Sequence, residues 1–126
     1  FTTAKGKEEM ARLLERYEDI DVVVSQNDDM TFGALEAIKA AGKTTGVNGD
    51  IIVISFDAVD AGVELVKNGE INIDVQCNPD QGKYVEQVIQ DMEAGKEVEK
   101  AYYVPERVYT WENLGEEEDA TEGISG

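Results

Sequence analysis

Apolar positions recur along this chain with two different periods. Met10, Leu13, Leu14 and Tyr17 fall at i, i+3, i+4 and i+7, one apolar face that predicts a helix over 3–17. The run beginning Val22-Val23-Val24 predicts a strand over 21–26, and Ile51-Ile52-Val53-Ile54 predicts another over 51–56. Continuous apolar runs of this kind mark strands buried on both faces of a parallel sheet. Between them, Phe32, Leu35 and Ile38 predict a helix over 30–41, capped by Asp28 or Asp29 and stopped by Gly42. Residues 43–50 form a polar, Gly-containing loop.

The second half continues the same rhythm. A helix over 60–68 packs through Leu65 and Val66 and ends at Gly69. The alternation Ile71, Ile73, Val75, Cys77 predicts a strand over 71–77, broken at Asn78-Pro79. Val85, Val88, Ile89 and Met92 share a face of a helix over 80–94, capped by Asp80 and stopped by Gly95. Residues 101–110, rich in Tyr and Val, read as a strand whose Pro105 implies an edge or a crossover. Alternating helices and strands predict an α/β fold, Rossmann-like, with α/β/α layers around a mostly parallel sheet and right-handed crossovers.

Two strand-to-helix junctions then stand out. Val24-Ser25-Gln26-Asn27-Asp28-Asp29-Met30 and Ile54-Ser55-Phe56-Asp57-Ala58 each end a strand in polar residues. Ligands of open α/β sheets bind at the carboxyl ends of the strands, so Asn27 and Asp57 are expected at one sheet edge, forming a small-molecule site. An amide both donates to and accepts from a hydroxyl, and a carboxylate accepts from two vicinal hydroxyls. This chemistry suits a polyol.

Composition narrows the possibilities. The 126 residues fit one domain, and 41% hydrophobic content fits a packed core. A formal charge of −17, from 11 basic and 28 acidic residues, argues against nucleic acid and against anionic membranes as partners. The absence of histidine removes the commonest general base and transition-metal ligand. The lone Cys77 leaves the redox compartment open. Neither a nucleophile motif nor a positioned carboxylate pair supports an enzyme. Gly42-Lys43-Thr44 resembles the end of a phosphate loop, but Ala37 stands where that motif needs Gly, and a helix rather than a strand precedes it. The acidic pairs Asp28-Asp29 and Asp57…Asp60 lack calcium-loop spacing, and helix capping explains Asp29 and Asp60 more simply, so no metal and no cofactor are expected. The acidic, Gly-containing stretch 112–126 reads as a mobile tail. The chain begins at Phe1 rather than Met, and its expected natural start lies upstream.

At the same junctions the chain resembles the periplasmic sugar-binding proteins of bacterial ABC importers, ribose/galactose type. The likeness covers about residues 1–112. It rests on Ala4-Lys5-Gly6-Lys7, Gln26-Asn27-Asp28-Asp29-Met30 with Gly33-Ala34, Phe56-Asp57, Asn68-Gly69-Glu70, Gln76-Cys77-Asn78-Pro79-Asp80 and Ala94-Gly95-Lys96. The Cys77-Asn78-Pro79 turn is more similar to the furanose-binding branch than to ribose binders. The resemblance implies two α/β lobes joined by three crossings, with a monosaccharide clamped between them and passed to a membrane permease. Residues 1–78 would form half of the carboxyl-terminal lobe. Residues 79–111 would be a hinge-crossing helix and strand belonging with the other lobe.

By the same resemblance, Phe1 would stack on the sugar ring, Asn27 would bond ring hydroxyls and Asp57 would grip two more. Cys77 stands where ribose binders place a glutamine. Gln76 is expected on the opposite face of its strand. Asn78, Pro79 and Pro105 would be hinge residues. A chain with such unpaired surfaces is expected to dimerise or swap. The location implied is periplasmic, or extracellular with a lipid anchor. The effector-binding core of a LacI-type transcription regulator shares the fold and is the alternative; such regulators usually carry Ser-Asp where this chain has Asn27-Asp28.

Overall fold

A computed structural model describes residues 1–114. Its elements are α1 (Thr3–Arg16), β1 (Val22–Val24), α2 (Asp28–Ala40), β2 (Ile52–Asp57), α3 (Asp60–Lys67), β3 (Ile73–Gln76), α4 (Gly82–Glu93) and β4 (Val108–Thr110). They form one four-stranded sheet in the order β1-β2-β3-β4. The first three strands are parallel, with Val23 opposite Val53 and Ser55 opposite Asp74. β4 runs antiparallel to β3, pairing Tyr109 with Asp74. The fold is therefore the expected α/β type with a mostly parallel sheet. The expected strand over 101–110 shortens to three residues at the edge. β4, within residues 79–111, thus pairs with β3 of residues 1–78.

Strand order dictates where the helices lie. Two successive right-handed crossovers stepping the same way, β1 to β2 to β3, put both connecting helices on one face. Accordingly Val53 and Ser55 are buried, whereas Ile52 and Phe56, next to them on β2, are exposed. Val22 and Val24 of β1 and Val108 of β4 are exposed too. The strands are thus not buried on both faces, as their apolar runs suggested. A second helical layer would require crossovers stepping the other way, and the described residues contain none.

The core joins Met10 of α1, Ala34, Ala37 and Ile38 of α2, Val66 of α3 and the sheet-side residues Ile51, Val53 and Ile71. Leu14, Ile20, Val23, Leu35 and Leu65 pack against it. Of the four apolar residues predicted to face inward from α1, Met10 is buried, while Leu13 and Tyr17 are exposed. The inward face of α1 is instead set by glycine. A Cβ on Gly6 would lie 2.2 Å from the carbonyl oxygen of Met30, and one on Gly33 would lie 1.9 Å from that of Thr3. Only glycine lets the backbones of α1 and α2 cross this closely. Lys7 and Glu36 add a surface ion pair across the crossing at 2.8 Å.

Helix ends follow the sequence at their carboxyl sides more closely than at their amino sides. Gly42, Gly69 and Gly95 all take positive φ just beyond their helices, as expected. The caps differ. Asn27, not an aspartate, caps α2, its side chain accepting from Met30 N at 2.9 Å. α4 begins at Gly82 after Gln81, with no side-chain cap, because Asn78 rather than Asp80 organises this turn by accepting from Asp80 N at 2.9 Å. No residue of α4 is buried, and Val85, Ile89 and Met92 face solvent.

Candidate functional site

Asn27, Asp57 and Cys77 follow or end β1, β2 and β3, and parallel pairing brings all three to one sheet edge. The expected convergence of Asn27 and Asp57 goes further than a shared edge. The backbone N–H of Asp28, one residue after Asn27, favours the charged form of the Asp57 carboxylate. Burial raises the Asp57 pKa above the ordinary range, the negative charge of Asp28 adds to the rise, and the N–H of Asp28 opposes it. The half-buried Asp57 carboxylate retains lone pairs for hydroxyl donors.

Asn27 has a dual position. Its Oδ1 is occupied by the cap of α2, and its carbonyl oxygen accepts from Ser25 Oγ at 3.1 Å and Thr31 Oγ1 at 2.9 Å. Nδ2 makes no hydrogen bond with the described residues, so the amide presents mainly a donor.

β2 ends in unusual backbone. Asp57 takes φ 113° and Ala58 φ 55°, conformations that L residues adopt at a cost. Such strain persists only where neighbours hold it, and it clusters at functional sites. Here the holders are visible. Ala58 N donates to Asp74 Oδ1 at 3.2 Å, and Val59 N donates to Asp28 Oδ2 at 2.8 Å. Cys77 N donates to the carbonyl oxygen of Asp57 at 3.1 Å.

Those contacts belong to a buried polar layer that the sequence reading missed. Asp28, Thr31, Ser55 and Asp74 are all buried beneath the sheet edge. Ser55 Oγ donates to Asp28 Oδ1 at 2.5 Å and lies 2.7 Å from Thr31 Oγ1. The alternation of Ile71, Ile73, Val75 and Cys77 predicts the strand but not that the residue between Ile73 and Val75 is enclosed. In the structure Ile73 and Val75 are only half-buried and Asp74 is fully enclosed. The available signal was an aspartate in mid-strand, where its propensity is poor, on a strand neighbouring one interrupted by Ser55.

The remaining predicted residues are placed differently. Cys77 is exposed. Gln76 turns its side chain to the neighbouring strand, its Oε1 accepting from Arg107 N at 3.1 Å. Phe1, 78% exposed, precedes α1. Asn78 and Pro105 lie side by side, Asn78 Nδ2 donating to the carbonyl oxygen of Pro105 at 3.0 Å.

The fold is part of an α/β domain with a mostly parallel sheet, its polar cluster at the carboxyl ends of the strands. Residues 2–97 match the sequence profile of the periplasmic binding protein domain, and the chain belongs to that family. Among curated proteins it is 34% identical over 111 residues to the ribose import binding protein of Bacillus subtilis, covering 87% of this chain and 34% of that one. The chain spans about a third of the length of the curated relatives it matches, 34% in the first two. Among solved structures, a Mycobacterium smegmatis protein in complex with β-D-fucofuranose superposes with a TM-score of 0.77 at 36% identity, over 89% of this chain and 36% of that one. The periplasmic binding protein component of the arabinose ABC transporter from Shewanella, bound to arabinofuranose, gives 0.77 at 31% identity, over 89% and 37%.

Proposed function

We propose that this chain is part of a monosaccharide receptor serving an ABC importer, a binding protein and not an enzyme, working in the periplasm or outside the cell. The observation that carries this reading is the pair at the ends of two neighbouring parallel strands, Asn27 with an amide donor that meets no partner among the described residues and Asp57 with a half-buried carboxylate. A hydroxyl-rich ring offers both donors and acceptors to such a pair. Furanose-bound neighbours and an exposed Cys77 favour a furanose over a pyranose. Phe1 supplies a ring face from the start of α1.

The adjacent segments at Asn78-Pro79 and Pro105 are the hinge crossings. The chain leaves the lobe after β3 and returns at β4, and the hydrogen bond between Asn78 and Pro105 ties the two passages together. α4 belongs with the second lobe, which explains its exposed apolar face. Ligand then shifts an open–closed equilibrium, and the closed form docks on the permease. An isolated chain with these uncovered surfaces self-associates.

The test is calorimetric titration of L-arabinose, D-galactose, D-fucose and D-ribose, all of which include furanose forms in solution, into the protein comprising both lobes. Saturable one-to-one binding that disappears in Asp57→Ala supports the reading. Binding that survives Asp57→Ala unchanged moves the site elsewhere. No binding, together with sequence-specific association with DNA, reassigns the chain to the effector core of a transcription regulator.

A further inference from the structure

Hydrogen-bond capacity is divided unequally between the two buried aspartates behind the sheet edge. Both oxygens of Asp28 accept, Oδ1 from Ser55 Oγ and Oδ2 from Val59 N. Asp74 Oδ1 accepts from Ala58 N, but Asp74 Oδ2 is the one buried side-chain polar atom without a partner among the described residues. It points toward Asp28. A Cβ added to Gly62 of α3 would lie 2.5 Å from Asp74 Oδ2 and 2.5 Å from Asp28 Oδ2, so both oxygens converge on the same small space. Two ionised carboxylates in such a place would repel strongly. A proton on Asp74 Oδ2 removes the repulsion, turns the orphaned acceptor into a donor, and gives it Asp28 as its partner.

We propose that Asp28 and Asp74 share one proton, and that this carboxyl pair is the positioning device that holds the strained Asp57-Ala58 turn in its ligand-binding shape. Each member anchors one backbone N–H of the turn, Asp74 that of Ala58 and Asp28 that of Val59. Through Ser55 and Thr31 the same network reaches the carbonyl oxygen of Asn27. One proton therefore serves both halves of the candidate site.

The electrostatic surroundings agree. Burial, then the charge of Asp28 and a hydrogen bond with it, raise Asp74 to about 7; Asp57 adds a small push, and Ala58 N–H opposes them. No cation appears among these influences. α2 contributes Asp28 and β2 contributes Asp57. α3 offers Gly62, while its Glu64 and Lys67 pair with each other at the surface and Asp60 is exposed. On β4, Tyr109 stands opposite Asp74 in register, with the Arg107 guanidinium 4.8 Å from its ring centre.

The ligand arm of this proposal rests on the sugar-receptor reading; the proton arm does not. The experiment uses the two-lobe protein and three variants, Asp74→Asn, Asp74→Leu and Asp28→Asn. Carboxyl ¹³C shifts are followed against pH, with thermal midpoints and binding of L-arabinose and D-galactose. The Asp74 carboxyl is expected to titrate near 7. Asp74→Asn, permanently neutral with one acceptor and one donor, should flatten the pH dependence of the thermal midpoint over the same window. Asp74→Leu should lose about tenfold or more in affinity, which Asp74→Asn recovers to within about threefold. Asp28→Asn should not recover, because its amide N–H either faces Val59 N–H or replaces the acceptor of Ser55 Oγ–H, and no carboxylate is left to share the proton of Asp74.

An Asp74 carboxyl that titrates in the ordinary range, or an unchanged pH slope in Asp74→Asn, overturns the proposal. The pH measurements decide it even if Asp74→Leu does not fold. If neither sugar binds but the raised titration appears, the pair stands and the sugar reading falls. If sugars bind and the titration is ordinary, the reverse holds.

Discussion

The sheet edge around Asp57 and the helix α4 are opposites within one short chain. At the edge, four polar side chains are buried, three of them linked by hydrogen bonds, and strained backbone is held by Asp28 and Asp74. In α4 nothing is buried, although the helix is as amphipathic as α1 by its sequence. A buried polar network is stable only when nearly every member is satisfied, so it has to be complete within the fold. An apolar helix face with no neighbour is incomplete by construction. The contrast separates what this segment does by itself from what it contributes to a larger assembly.

The comparison breaks most severely at Asp28. Asp28→Ala leaves Ser55 Oγ and Val59 N without an acceptor and should destabilise by about 3 kcal/mol or more, read from the denaturant midpoint. Gly33→Ala should cost about 1–3 kcal/mol, since its methyl meets the Thr3 carbonyl and forces α1 off α2. A loss near zero would mean the crossing adjusts freely.

A pH series tests the same region with a defined sign. Asp74 binds its proton more tightly folded than unfolded, so stability is fully present below the ordinary value of 3.8. It falls as pH rises through the window from 3.8 to about 7. Stability rising across that window would contradict the raised titration.

Asn27→Ser sharpens the roles at the junction, because serine keeps the helix cap and removes the amide donor. Stability should change by no more than about 0.5 kcal/mol, while sugar affinity in the two-lobe protein falls by about 1–3 kcal/mol. At the other extreme, Val85→Ala with Ile89→Ala should change the stability of the isolated chain by no more than about 0.5 kcal/mol. If a second lobe covers that face, as proposed, the same pair should cost several times more in the two-lobe protein. Equal effects in both would remove the distinction between the regions.

How much of this was legible before the structure depended on the range of the interactions. Helix and strand periods and the glycine stops are local signals, and Gly42, Gly69 and Gly95 behave as they read. The convergence of Asn27 and Asp57 followed from one rule about parallel sheets. The enclosure of Asp74 did not follow, because its environment is made by α2, β2 and α3 together and alternation along β3 carries no sign of it. The bare sheet face was likewise hidden in the strand order, which a list of apolar runs does not contain. The cap of α2 was misread by one residue, since Asn, Asp and Asp in succession are all competent caps and only backbone geometry chooses among them.

The glycine pair at the crossing of α1 and α2 has a meaning beyond packing. Phe1 lies just before the one helix and Asn27 caps the other, so the closeness of the two backbones bears on how far the aromatic stands from the amide. On the sugar-receptor reading, Gly6 and Gly33 act as a calliper: they gauge the width of ring that can be gripped, from a place no ligand atom touches.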